Sequence, residues 1–316
     1  MLFSVLLCAC TPEQGAVSVD GTGVGKVDGS GSGRGDGTGS GKEEGTGPGK
    51  EDEPPAVLPL SLAVSADINL GFSPENGDRA GMTVLGGREA FLPEGAVMDD
   101  VPLVYDGSRW TLSGELAFVD DGPTADFCCR CPLAGGTAED GTFTVAVQTD
   151  QSGAEGFRKS FAFYGKSAGV RLSKAPVRVE MKNLMSRLKL SLKAGTGWTS
   201  EDIASASVRF CGLCTSAAVR IEDGETVSTG DVAEILPMDG GDGTWSAIVV
   251  PQSVSSDVPL AEISVGGDEY VLKTSVVLER GKRHTCTLTL NRTEGSFGVG
   301  VSDWMTDGED YGGDTI

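Results

Sequence analysis

Apolar and polar side chains alternate along nearly every structured stretch of this chain. In "SRLKLSL" at 186–192, Leu188, Leu190 and Leu192 fall on one face, with Arg187, Lys189 and Ser191 on the other. "TCTLTL" at 285–290 sets Cys286, Leu288 and Leu290 against Thr285, Thr287 and Thr289. "TFTVAVQT" and "EISVGGDEYVLKTSVV" continue the pattern. A period of two is the signature of a half-buried strand, because successive side chains leave a strand on opposite faces. Turn residues break the runs at short intervals: Glu75-Asn76-Gly77-Asp78, Asp106-Gly107, Asp120-Asp121-Gly122 and Asp223-Gly224. Gly266-Gly267 is a two-residue hairpin signal between Ile263/Val265 and Tyr270/Leu272. Only "TSEDIASAS" at 199–207 offers a capped helical turn. Many short strands with one polar face build sandwiches or barrels, so an all-β fold is expected.

The first 55 residues have a different character. "LFSVLLCAC" at 2–10 is far too short to span a bilayer and resembles the hydrophobic part of a signal peptide. Leu7-Cys8-Ala9-Cys10 resembles a bacterial lipobox, which makes Cys10 the expected lipid-attachment residue. Between Thr11 and Pro55 there are 14 Gly and almost no large apolar side chain. Such a segment cannot bury enough surface to offset its ordering entropy. It is expected to act as a flexible tether with a root-mean-square reach of about 35–40 Å. Its Gly-Lys pairs are not phosphate loops. Where that motif needs an upstream Gly and a following Ser or Thr, Lys26 has Asp20 and Val27, Lys42 has Asp36 and Glu43, and Lys50 has Glu44 and Glu51. Arg34-Gly35-Asp36 likewise follows from the composition.

The formal net charge is −21, and no basic groove is evident, which argues against nucleic acid as a partner. "MDGGDGTW" at 238–245 lacks the ligand spacing of a calcium loop and reads as a Gly-Asp turn. No metal or other cofactor is expected. Six cysteines follow the lipobox: Cys128, Cys129, Cys131, Cys211, Cys214 and Cys286. They sit inside strand patterns, where a free thiol acts as a small hydrophobe. A disulfide after export and a four-Cys metal site are the alternatives.

An enzyme needs an acid–base or nucleophilic constellation. This chain has one histidine, His284, read as an edge residue of the last hairpin, and no nucleophile motif. Asp99-Asp100 and Asp120-Asp121 read as solvated loops. No catalytic residue is expected, and a carboxylate glycosidase is the enzymatic alternative. Trp110, Trp245 and Trp304 lie in strand patterns, and Trp198 lies on a loop.

The order of motifs resembles the fimbrillin family of Bacteroidales surface lipoproteins, which includes major and minor fimbrial subunits. "INLGFSPENGDRAG" is similar to the family's first strand and the Arg-containing segment behind it. Trp110 followed by "ADFCCRCPL" looks like a feature of its first domain. "VEMKNLMSRLKLSL", "WSAIVVPQSV", "YVLKTSVVLERGKRHTCTLTL" and "GVGVSDW" look like elements of its second. The resemblance implies two transthyretin-like β-sandwich domains. The boundary between them is read near "SKAPVRVEM" at 173–181, where Pro176 follows a Gly/Ser/Lys-rich stretch, which gives domains 56–175 and 176–316 after a signal segment at 1–10 and the linker at 11–55. It implies a lipoprotein of the outer membrane and cell surface. It also implies a structural or adhesive subunit that joins other fimbrial subunits by β-strand addition, with host or bacterial surface ligands as further partners. In the family a protease cuts after an Arg behind the first strand, and an incoming strand fills the vacated groove. Arg79 is the matching position, with Arg88 second and 61–72 as the leaving strand. The tail "MTDGEDYGGDTI" lacks apolar alternation and is a poor donor strand. A tethered adhesin or glycan-binding module that does not polymerise is the other reading.

Overall fold

Alternation along each strand becomes layers once neighbouring strands exchange hydrogen bonds. The computed structural model describes residues 55–66, 71–120, 124–293 and 296–301. Its first half contains β1 (Val57–Pro59), β2 (Leu62–Ala66), β3 (Arg79–Leu85), β4 (Phe91–Leu92), β5 (Val101–Tyr105), β6 (Trp110–Leu112), β7 (Ala117–Val119), β8 (Ala125–Cys131), β9 (Thr142–Ala146), helix α1 (Ala154–Lys159), β10 (Phe163–Val170) and β11 (Val177–Asn183). Then come β12 (Ser186–Ala194), helix α2 (Ser200–Ala204), β13 (Ser207–Arg220), β14 (Thr226–Ile235), β15 (Met238–Asp239), β16 (Thr244–Val249), β17 (Gln252–Val254), β18 (Pro259–Val265), β19 (Asp268–Lys273), β20 (Val276–Leu278), β21 (Arg283–Thr293) and β22 (Ser296–Val301). Cys10 and the tether lie outside the described residues.

In the first half, a seven-stranded sheet runs β2-β11-β10-β8-β3-β5-β6, and a three-stranded sheet runs β1-β7-β4. Phe91 of β4 meets Phe127 of β8 edge-on, with ring centroids 6.1 Å apart, so the small sheet packs on the large one. In the second half, β15-β16-β12-β21-β22 and β14-β13-β18-β19 form two further sheets, and β17 pairs β20. Leu188, Leu190, Leu192, Cys286, Leu288 and Leu290 are buried, as their alternation predicts. Gly266-Gly267 joins β18 to β19, and Thr199 and Asp202 form the capping box of α2.

The sheets change later than Pro176, where the sequence placed the domain boundary. β11 pairs with β10 and with β2, so it completes the first large sheet instead of opening the second half. The crossing comes at Leu184-Met185, where the buried Asn183 side chain accepts the Met185 N–H at 2.8 Å and turns the chain. β9 also departs from its half. It pairs antiparallel with β13, with Ala146 opposite Ser216 and Thr142 opposite Arg220. Contacts accordingly group Glu53–Ile316 into one unit.

Candidate processing and strand-pairing site

β2 alternates, but its inward face is only partly covered. Leu62, Val64 and Ala66 are half-buried, while Ala63 and Ser65 are exposed. It lies parallel to β11 in the register Val177↔Leu62 through Met181↔Ala66, and the Ser61 carbonyl accepts the Val177 N–H at 2.9 Å. The partner is far better buried: Val177, Val179 and Met181 are all core residues. β2 forms one end of the seven-stranded sheet and β6 the other. Two cavities, of about 860 and 830 Å³, are each lined by residues of both strands; Leu62 and Trp110 line both. The two sheet ends thus face one another across an open seam. Removing β2 would leave the β11 edge and the Val177, Val179 and Met181 face uncovered, an arrangement that another strand can satisfy.

Of the predicted leaving strand at 61–72, residues 67–70 lie outside the described residues. Arg79 is the first residue of β3, and its side chain is exposed. Its backbone is not free. Arg79 pairs with Val104, and its carbonyl accepts the Leu133 N–H at 3.1 Å and the Cys131 thiol at 3.8 Å. Ala80, on the far side of the same peptide bond, is fully buried. A protease must therefore draw this peptide out of the sheet before cutting it. Arg88 is exposed on a short 3-10 turn, where its Nε donates to the Val84 carbonyl at 2.9 Å.

Several polar groups occupy places the sequence did not assign them. Asp99 and Asp100, expected in a solvated loop, form the centre of a buried cluster. Arg130 is 1% exposed and donates through Nε to Asp100 Oδ1 at 2.9 Å. The Gly135 and Gly136 N–H groups donate to Asp100 Oδ2 at 2.5 and 2.9 Å. Burial works against the Asp99 carboxylate, yet hydrogen bonds from Thr137 and Thr83, aided by the Arg130 charge, hold its pKa below the ordinary value. The two acids here serve to pin the 133–137 loop to β8. Strand β8 is buried on both faces, so its alternation could not announce that Arg130 lies inside. His284 pairs with Leu188 of β12, ahead of the stretch from Leu288 that β22 covers, yet it is buried, and its imidazole accepts the Glu279 N–H at 2.9 Å through Nε2. Asp239 and Asp242 cap the turn before β16, accepting from the Gly241 N–H and the Thr244 hydroxyl.

All six cysteines are free thiols, and only Cys214 is not fully buried. Burial pushes the Cys131 thiol up to about 12 and that of Cys286 to about 11. Cys211, Glu234 and Glu262 bring ligand-type atoms together on the outer face of three adjacent strands. Arg209 already stands there, 2.9 Å from Glu262 and 3.9 Å from Glu234, and pairs with both carboxylates. Trp198 is a loop anchor: it is 8% exposed, donates to the Tyr270 hydroxyl at 3.0 Å, and is covered by the Arg292 guanidinium.

Among solved structures, two Bacteroides proteins share this fold. A proposed cell adhesion protein of Bacteroides ovatus superposes with a TM-score of 0.57 at 17% identity, over 79% of this chain and 98% of that one. Another, from Bacteroides uniformis, gives 0.55 at 20% identity, over 78% and 99%. The tip fimbrial protein Mfa3 of Porphyromonas gingivalis, with a C-terminal truncation, gives 0.46 at 9% identity, over 79% and 99%. Curated proteins yield no match. The fimbrillin-like family model matches residues 72–304, covering β3 through β22 and nearly all of the folded unit, and the chain belongs to that family.

Proposed function

We propose that this chain is a cell-surface fimbrial or fimbria-like structural and adhesive subunit, anchored by lipid on Cys10 until a cut after Arg79 frees residues 80–316 to assemble by strand exchange. Family membership points to other fimbrial subunits as its partners. The observation that carries the strand-exchange reading is the pairing of β2 with β11. A half-buried end strand covers a deeply buried neighbour and is joined to the body through a segment that ends at an exposed Arg79. Cutting after Arg79 would turn that strand from an intramolecular neighbour into one held only by its own contacts. A donor of better alternation could then replace it.

The test is limited digestion of the folded protein with an Arg-specific protease. A cut after Arg79 followed by SDS-resistant ladders supports the reading, and a clean cut that leaves only monomers contradicts it. The anchor is tested separately: Cys10→Ser should move the protein out of the membrane fraction, and unchanged fractionation would refute lipidation.

A further inference from the structure

The segment between β2 and β3 is gripped at several points by one side chain. Arg158 is on α1, and its guanidinium reaches back across the surface to residues 72–78. Nη2 donates to the Ser73 carbonyl at 3.2 Å and to the Asp78 carboxylate. Nε lies 3.1 Å from Glu75 Oε1 as an ion pair. The guanidinium also covers the Phe72 ring at 5.2 Å, and that ring packs on Phe161 and Phe163 with centroids 5.5 and 4.6 Å away. Asp78 is bound twice over, since its Oδ2 also accepts the Glu75 N–H at 2.8 Å and closes the turn. The turn is in turn tied to β5: the Gly77 N–H donates to the Tyr105 carbonyl at 2.8 Å, and the Tyr105 N–H donates to the Asp78 carbonyl at 2.9 Å.

The placement of Arg158 is itself fixed. Gly156 brings α1 so close to the preceding loop that a Cβ there would stand 2.0 Å from the Asp150 carbonyl oxygen. At the helix end, Ser160 donates to the Gly156 carbonyl and accepts the Gln148 N–H. Arg158 side-chain exposure is 27% and that of Asp78 is 20%, so water competes poorly for this contact. An ion pair placed here holds the loop of residues 72–78 against the body, so the strand that begins at Arg79 cannot be drawn out into a protease cleft.

We propose that Arg158 is a latch: its grip on Phe72, Ser73, Glu75 and Asp78 keeps the Arg79-Ala80 peptide seated in the sheet and the subunit uncut. This builds on the reading of Arg79 as a processing site and adds a means of regulating it. Arg158 is a positioning residue, acting through the segment it holds, and a partner that drew the guanidinium away would license cutting.

The full chain as wild type, Arg158→Gln and Arg158→Lys is exposed to trypsin under native conditions, and only fragments that begin at Ala80 are counted by mass spectrometry. Lys159→Ala, which removes an exposed ion pair to Glu155 on the same helix, is the control. Amide hydrogen exchange is followed in parallel. In Arg158→Gln, cutting after Arg79 should accelerate at least tenfold, with a matching rise in exchange at the Gly77 and Tyr105 amides. The amides of β12 and β16 should be unchanged, the Lys variant intermediate and the control like wild type. Unaltered cutting, or faster exchange throughout the protein, overturns the latch. Cutting that follows the predicted order but never releases β2 leaves the latch standing and removes strand exchange instead.

Discussion

The side-chain amide of Gln151 pairs with both backbone polar groups of Ile248. Its Oε1 accepts the Ile248 N–H at 2.8 Å, and its Nε2 donates to the Ile248 carbonyl at 2.8 Å. Gln151 is fully buried, and Ile248 belongs to β16 in the second half. A glutamine thus supplies the hydrogen bonds that a neighbouring strand would otherwise provide. Together with β9, it makes the two halves a single structural body. Gln151→Ala should cost about 2–4 kcal/mol, since it strands a buried donor and a buried acceptor. Chemical denaturation followed by fluorescence of the buried tryptophans checks this, with loss of a single cooperative transition as a further sign of uncoupling.

Gly156→Ala is expected to destabilise despite the better helix propensity of alanine. The propensity gain is about 1 kcal/mol. The added methyl, however, would meet the Asp150 backbone oxygen at 2.0 Å, and backbone cannot move aside as a flexible side chain can. Forced displacement of α1 should cost about 1–3 kcal/mol net. Thermal unfolding reads this directly, and an unchanged or higher Tm would show that the helix is free to shift.

Arg130→Met should be among the most damaging single changes, at about 3–5 kcal/mol, because it leaves the Asp100 carboxylate buried without its cation. Asp99 adds a dependence on pH. Its folded pKa lies below the ordinary 3.8, so the stability it contributes is present above about pH 4 and fades as pH falls through the lowered value. Asp99→Asn should therefore lower stability at neutral pH and flatten the acid limb of the stability profile. A parallel downward shift with an unchanged acid limb would locate the acid sensitivity elsewhere.

Thiol labelling gives a local map of the fold. In a form that begins after Cys10, Cys214 should react first with an alkylating reagent, because it is the one cysteine of the six that is partly exposed. Cys131 and Cys286 are buried and held protonated, with pKa values pushed to about 12 and 11, so they should react only on unfolding. Peptide mapping after timed labelling checks the order.

How much of this was legible follows from what strand periodicity can express. Alternation identified the buried faces of β12 and β21, the Gly266-Gly267 hairpin and the capped turn at Thr199, because each is a local rule read from neighbouring residues. It could not place Arg130, Asp100 or Gln151. Their partners lie 30 to 97 residues away, and their polarity argued for solvent until a third element covered them. The sheet that β11 joins was hidden for a related reason: it alternates like any strand, and nothing in its own sequence says which neighbours it pairs with. Arg79 was proposed through resemblance, while Arg158, whose guanidinium contacts the segment ahead of it, carries no motif at all.

The central claim is that β2 can leave its place beside β11 and another strand can take it. The direct measurement uses protein cut after Arg79 and an isotopically labelled synthetic peptide of residues 61–72, with amide protection followed at Val177 through Met181. If the account is right, the labelled peptide displaces the resident strand and restores protection at those amides, while uncut protein takes up none. If the cut protein keeps its own strand indefinitely, or loses it without the peptide ever protecting β11, the account is wrong.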